Sequence, residues 1–208
     1  MTLIKPEQCA LFVLDTDWSG YQKILEVVEE RPIRVTYDRG RLELMSPGRA
    51  HERAKKILGA LLECIMTELE IDFEPGGSTT FKREDLDRGF EPDECYWIEQ
   101  WEAVRGRREW SAAVDPPPDL AIEVEVTSRV IRRLPIYQAI GIPEVWRLTK
   151  DLEVLFLVLK SDGYAEVPHS PHFPWLGSTV LTQWLARDLP QPRLVRAFRE
   201  ELSRLQAH

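Results

Sequence analysis

One stretch constrains this chain more than any other: Asp115-Pro-Pro-Pro-Asp-Leu-Ala-Ile-Glu-Val-Glu-Val-Thr-Ser128. From Leu120 to Val126 it alternates strictly. Leu120, Ile122, Val124 and Val126 point one way; Ala121, Glu123, Glu125 and Thr127 point the other. Such alternation marks a strand with one packed face. It sets Glu123 and Glu125 on one side, about 6.6 Å apart along the strand at ~3.3 Å per residue. Carboxylates inside an apolar strand are costly unless paired, protonated or bound to a metal. On these residues alone, an edge strand with a wet second face is slightly the better explanation. The rest of the chain shifts that balance.

The 208 residues suit one domain over 1–208, with 1–30 as a variable lead-in and 188–208 as a C-terminal helix. A hydrophobic content of 43% allows a sizeable core. No apolar run reaches the roughly 18 residues that span a bilayer, and Met1-Thr-Leu-Ile-Lys-Pro6 lacks the pattern of a signal peptide. Cys9, Cys64 and Cys95 are an odd, widely spaced set. That suits buried thiols in a reducing cytoplasm better than a disulfide framework or a zinc site. The net charge of −8 is not the profile of a protein that holds nucleic acid by bulk electrostatics, and it argues against a simple DNA-coating role. It does not exclude a nuclease, because bound divalent metal neutralises a carboxylate-rich site.

In chain order, Leu11–Leu14 reads as a short packed segment, and Asp15, Asp17 or Ser19 can cap a helix over 21–30 that ends at Arg31-Pro32. Ile33–Tyr37 and Arg41–Met45 flank Asp38-Arg-Gly40 as a hairpin with a three-residue loop. Glu43 interrupts the second strand. After Ser46-Pro47, Ala50, Ala54, Ile57, Leu58, Leu61, Leu62, Ile65 and Leu69 recur at helical spacing, with His51 in the first turn. Short strands are expected over 71–74 and 78–82, and a further strand over 90–98 opens at Asp93 behind Pro92. Arg105-Gly-Arg-Arg108 reads as a solvated loop tip. Beyond Ser128 the period turns helical, with Thr127 or Ser128 as N-cap, Pro135 kinking or restarting the helix, and Gly141 ending it. Pro143–Leu148 is a strand, so a right-handed parallel crossover is expected. A hairpin turns at Ser161-Asp-Gly163, and His169 and His172 are loop histidines with no acidic partner nearby. Helices over 178–187 and 192–205 close the chain. The second buries Leu194, Phe198, Leu202 and Leu205 and leaves its arginines on a solvated face.

Glu43, Asp93, Glu123 and Glu125 are acidic positions that break apolar strands. Oxygen-only sets of this kind suit Mg2+ or Mn2+. For each alone the plainer reading stands beside it: a solvent-facing Glu, a loop Asp or, for His51, a satisfied polar group at a helix start. Together, Arg41-Leu-Glu-Leu-Met-Ser-Pro47, His51, Glu91-Pro-Asp93, Pro118-Asp-Leu-Ala-Ile-Glu-Val124 and Tyr137-Gln-Ala-Ile-Gly-Ile-Pro-Glu-Val-Trp146 resemble the Uma-two family of endonucleases. That family has the restriction-endonuclease-like, PD-(D/E)xK fold, and the resemblance spans roughly residues 30–185.

The resemblance implies an α/β (α+β) fold with a mixed β-sheet core flanked by helices. It implies metal ligation of Mg2+ or Mn2+ by Asp93 and Glu123, with a backbone carbonyl near Val124 and with Glu43 orienting that ion or a second one. It implies a DNA substrate and, by analogy with nucleases that cut both strands, a homodimer. His51 would donate to a phosphate oxygen or fix a carboxylate. The departure is the lysine: the residue two after Glu123 is Glu125, and the family's commoner helix lysine is here Arg133. Glu125 would position the attacking water, while Arg133 or Lys82 would stabilise developing charge. Arginine stays protonated and cannot act as a base. A metal-dependent DNA endonuclease is therefore the first reading. A weak or inactive nuclease-fold protein that binds DNA or a protein partner is the second, and a hydrolase of small phosphoesters the third.

Overall fold

The structure, a computed structural model, describes residues 10–29, 31–125 and 130–205. The expected N-cap at Thr127 or Ser128, and Val126, Arg129 and Cys9, lie outside the described residues. The elements run β1 (Ala10–Asp15), α1 (Trp18–Val28), β2 (Arg34–Asp38), β3 (Arg41–Ser46), α2 (Arg49–Glu68), β4 (Glu74–Pro75), β5 (Phe81–Arg83), β6 (Arg88–Phe90) and β7 (Glu94–Trp97). There follow α3 (Trp101–Val104), β8 (Leu120–Val124), α4 (Leu134–Ile140), β9 (Glu144–Leu148), β10 (Val154–Lys160), β11 (Gly163–Val167), α5 (Ser178–Leu185) and α6 (Gln191–Leu205).

The strands form two sheets, and the larger one is the expected mixed core sheet flanked by helices. The first has the order β1-β3-β2-β6-β5 and the second β11-β10-β9-β8-β7-β4. β8 and β9 are the parallel pair, with Leu120 opposite Glu144, as the strand–helix–strand reading required. The expected strand over 90–98 is split: β6 ends at Phe90 in the first sheet, and β7 begins at Glu94 in the second. Glu91-Pro-Asp93 is thus the crossing between sheets. A proline carries no N–H for a ladder, which suits a break here. β4 and β5 likewise fall in different sheets.

The alternation in β8 holds, but its second face is not wet. Leu120, Ile122 and Val124 pack with Ile57, Leu58, Leu61, Leu62 and Ile65 of α2. Ala121 joins the opposite cluster, with Phe81, Phe90, Tyr137 and Val145. β8 is covered on both sides because β7 and β9 flank it while α2 and α4 lie over its faces, so the edge-strand reading is overturned. Glu123, at 1% exposure, points into that second, covered side.

Other expectations are refined. α1 starts at Trp18, where the Asp17 carboxylate accepts from Gly20 N at 2.8 Å. The β2–β3 loop has two residues, not three: Asp38 pairs with Arg41, and Arg39 and Gly40 both take positive φ (47° and 90°). That is the geometry tight hairpins prefer. The helix after β8 does not begin at Val130. It spans only Leu134–Ile140, with Pro135 in its first turn, and Gly141 at φ 91° closes it. β1 is an edge strand with Phe12 66% exposed, so Leu11–Leu14 is not a packed segment. The Arg105–Arg108 loop is exposed as expected, with Arg105 over the Trp101 ring and Arg107 3.4 Å from Asp115. On α6, Leu194, Phe198 and Leu202 are buried as expected, and Leu205's side chain lies outside what is described. No helix among the described residues is long and apolar enough to cross a membrane.

His172 is more than a loop histidine. Its Nδ1 lies 2.5 Å from Oε2 of buried Glu144, whose Oε1 accepts from Trp146 Nε1 at 2.6 Å. The partner is 28 residues away in sequence, out of reach of local spacing. Burial works against the imidazolium, but the Glu144 hydrogen bond, with the charges of Glu144, Asp119 and Glu99, raises the His172 pKa above its ordinary value. A raised folded pKa places the pair's full contribution below the unfolded value of about 6.5, and that contribution fades as pH rises through the folded value. The melting-temperature gap between wild type and His172→Asn is therefore expected to be widest near about pH 6 and to narrow toward about pH 9. A gap constant across that range would mean that packing, and not the charge, holds the loop.

Candidate active site

Asp93 stands where the chain enters β7. The register pairs Glu94 with Ile122, so the preceding residue, Asp93, falls opposite Glu123 on β8. The two carboxylates from distant motifs are thereby set side by side. Asp93 is 0% exposed. Its Oδ1 lies 2.9 Å from His51 Nε2, and its Oδ2 accepts from Val124 N at 2.8 Å. His51 reaches it because α2 starts directly after β3 and packs along β8.

Glu123 is held from α4 and the turn before it. Its Oε2 accepts from Arg133 Nη1 at 3.0 Å and from the Tyr137 hydroxyl. Arg133 Nη1 also donates to the Glu91 carbonyl at 2.8 Å, which ties the crossing segment to the site. The Glu91 side chain braces that segment by accepting from Thr80 Oγ1 and Val35 N. Burial opposes the Arg133 charge, but Glu123, Tyr137 and Asp93 together hold its pKa above the ordinary value. Burial, then Glu123, pushes the Tyr137 hydroxyl well above its usual range. At neutral pH Arg133 is thus a fixed cation and Tyr137 a neutral donor.

The remaining expected residues take distinct places. Glu43, 1% exposed, accepts from the amides of Val130 and Ile131 at 2.8 and 3.0 Å. It anchors the turn that delivers Arg133. Glu125 is half-buried and pairs with Arg147 of β9 at 2.5 Å. Lys82 is exposed on β5 and lines another cavity, of roughly 630 Å3, with Arg34, Thr80 and Glu91. The structure does not bring Lys82 to the carboxylate pair. Asp93 with His51 and Glu123 with Arg133 form two bonded pairs that the β7–β8 register brings together, with Glu43 supporting the turn before Arg133 from the first sheet.

Among the described residues no group of three or more His, Cys, Asp or Glu side chains is placed to hold a metal ion. The donor chemistry nonetheless fits a hard divalent cation. Mg2+ is commonly bound by one or two carboxylates, with waters and substrate phosphates completing its shell. Asp93 and Glu123 supply such a pair.

Tyr137 and Arg147 also belong to the site and do not stand out by type in the sequence. Tyr137 is the first residue of the Tyr137–Trp146 segment that runs from α4 into β9. Arg147 carried a visible signal: like Glu123, it is a charge inside an otherwise apolar strand, Val145-Trp-Arg-Leu148.

Comparison with known proteins places the chain by family and by fold. The family model Uma2, described as "Putative restriction endonuclease", matches residues 18–189. The solved structure of a "putative nuclease belonging to DUF820 from Anabaena variabilis ATCC 29413" is similar with a TM-score of 0.52 at 17% identity. The match covers 79% of this chain and 98% of that one. At that identity the likeness shows the fold alone, and that fold is mixed α+β. No curated protein matches the chain significantly.

Proposed function

Because the chain belongs to the Uma2 family of restriction-endonuclease-like proteins, we propose that it hydrolyses DNA phosphodiester bonds with a divalent cation, Mg2+ or Mn2+, held by Asp93 and Glu123. The observation that carries this reading is the side-by-side placement of two buried carboxylates from separate motifs, each engaged by polar groups. Such groups are retained at a cost to folding, which favours a site over a packing role. A cation bound there supplies an activated water and offsets charge on the phosphoryl group.

The chain's own residues do the rest. His51 and the Val124 amide fix the Asp93 carboxylate, and Tyr137 fixes Glu123. Arg133 offers a permanent charge beside the reacting phosphate but takes no proton. Glu125, the half-buried carboxylate at the position of the missing lysine, orients the water. Glu43 acts at one remove, by anchoring the turn that positions Arg133. The free thiols of Cys64 and Cys95 suit action in a reducing cytoplasm.

A second reading is favoured by one observation: Arg133 and Tyr137 already close on Glu123, as in a site kept for structure. In that reading the fold binds DNA or a protein partner without cutting. Nicking of supercoiled plasmid with Mg2+ or Mn2+ separates the two. Wild type is expected to nick, and Asp93→Ala and the isosteric Asp93→Asn to lose at least about a hundredfold in rate, beyond the loss typical of outer-shell changes. No nicking by any of the three proteins would favour binding without cleavage. Equal nicking by all would trace to a contaminant.

A further inference from the structure

Arg133, which holds Glu123, also lines a cavity of roughly 720 Å3, walled by Arg132, Arg133, Arg147 and Lys150, with Glu125 and Asp151 as its acids. In a chain of net charge −8, four cations against two acids is a local reversal of sign. Arg133 is 4% exposed, yet its Nε and Nη2 have no hydrogen-bond partner among the described residues. Arg147 Nε is likewise buried without one. Buried guanidinium donors are costly to leave unmade. Their geometry matches the two oxygens of a phosphate or carboxylate, and guanidinium with ammonium together suit phosphate.

We propose that this cavity takes a DNA backbone phosphate next to the one being cut, gripped by Arg147 and Lys150. Glu125 occupies Arg147 until the phosphate displaces it. The inference rests on the nuclease reading above. It places Arg147 as a substrate-binding residue in compensation for the altered lysine position. The cavity's size exceeds one free phosphate, and Arg133 borders both the cavity and Glu123, so a strand continuing from the site fits better than an isolated anion. Displacement of Glu125 from Arg147 also frees that carboxylate for its part at the reacting phosphate. Substrate binding and water positioning are thereby linked through one ion pair.

The test is anisotropy of a short fluorescent DNA duplex with the full chain in EDTA, across a range of salt. Arg147→Gln with Lys150→Gln is expected to weaken binding about tenfold or more at low salt and to make the salt dependence shallower by about two counterions. Glu125→Gln, which removes the competing anion, is expected to tighten binding a few-fold by the same reasoning. Arg204→Gln, an exposed charge on α6, reports the effect of losing surface charge alone. Glutamine keeps the first two methylenes of each stem, and Lys150→Gln by itself changes only an exposed side chain, so a folding defect is separable. Unchanged affinity and salt slope in the double variant, an equal effect from Arg204→Gln, or no binding by wild type would each overturn the pocket. Nicking keeps the two proposals apart. A wild type that binds in this pattern but never nicks retains the pocket and loses the nuclease. A wild type that nicks while the double variant binds and nicks normally retains the nuclease and loses the pocket.

Discussion

Arg133→Met is expected to lower the unfolding free energy by about 3–5 kcal/mol, because it leaves the Glu123 carboxylate buried without its cation. Both side chains of the pair are 2% exposed, so solvent screening does little to soften the loss. Methionine keeps much of the volume of the arginine stem, which limits the cavity contribution. The same substitution also removes the contact to the Glu91 carbonyl. Adding Glu123→Gln to Arg133→Met is expected to recover much of the stability, since glutamine is uncharged and its carbonyl still accepts from Tyr137. Urea unfolding of the two variants measures this directly. A single variant as stable as wild type would show that the ion pair does not hold the turn before α4. A double variant that regains stability without nicking would separate the fold's need for charge balance from the chemistry's need for a carboxylate.

Divalent metal is expected to raise the melting temperature of the wild type and not of Asp93→Asn. A ligand that binds only the folded state at about a hundred times its dissociation constant stabilises by about 2.7 kcal/mol. For a chain of this size that is a shift of roughly 5–11 °C. Asparagine preserves the shape of Asp93 and can still accept from the Val124 amide, so the variant retains the local packing while losing the charge. The readout is independent of cleavage. Thermal melts in EDTA, Mg2+ and Mn2+ decide it: equal shifts in both proteins would place the metal elsewhere, and no shift in the wild type at high metal would remove Asp93 and Glu123 as ligands.

Much of the site was legible in order but not in space. Glu43, Asp93 and Glu123 each break an apolar strand pattern, and a carboxylate persisting in such a pattern is a cost that sequence alone makes visible. His51 joined them by following the strand that carries Glu43. Their partners were not legible. Nothing local links Asp93 to His51 across 42 residues, or Glu43 to the Val130 and Ile131 amides across 87 and 88. Lys82 shows the opposite failure. It stands in a strand close to Asp93 in sequence, yet the chain changes sheets at Glu91-Pro-Asp93 and leaves it on the other one. A charge near a motif in sequence need not be near it in space when the chain changes sheets between them.

By itself the sequence determined the periods: the strict alternation of β8, the apolar stripe of α2, the hairpins, the parallel crossover and the acidic residues that interrupt them. These follow from local geometry, where side chains repeat every two residues in a strand and every 3.6 in a helix. Tertiary structure alone decided that β8 is covered on both faces, that the strand before Asp93 breaks between two sheets, and that Arg133 and Tyr137 close on Glu123 while Arg147 takes Glu125. Those outcomes depend on which strands become neighbours and what lies over them, and burial of that kind is a sum over contacts distant in sequence that no local period encodes.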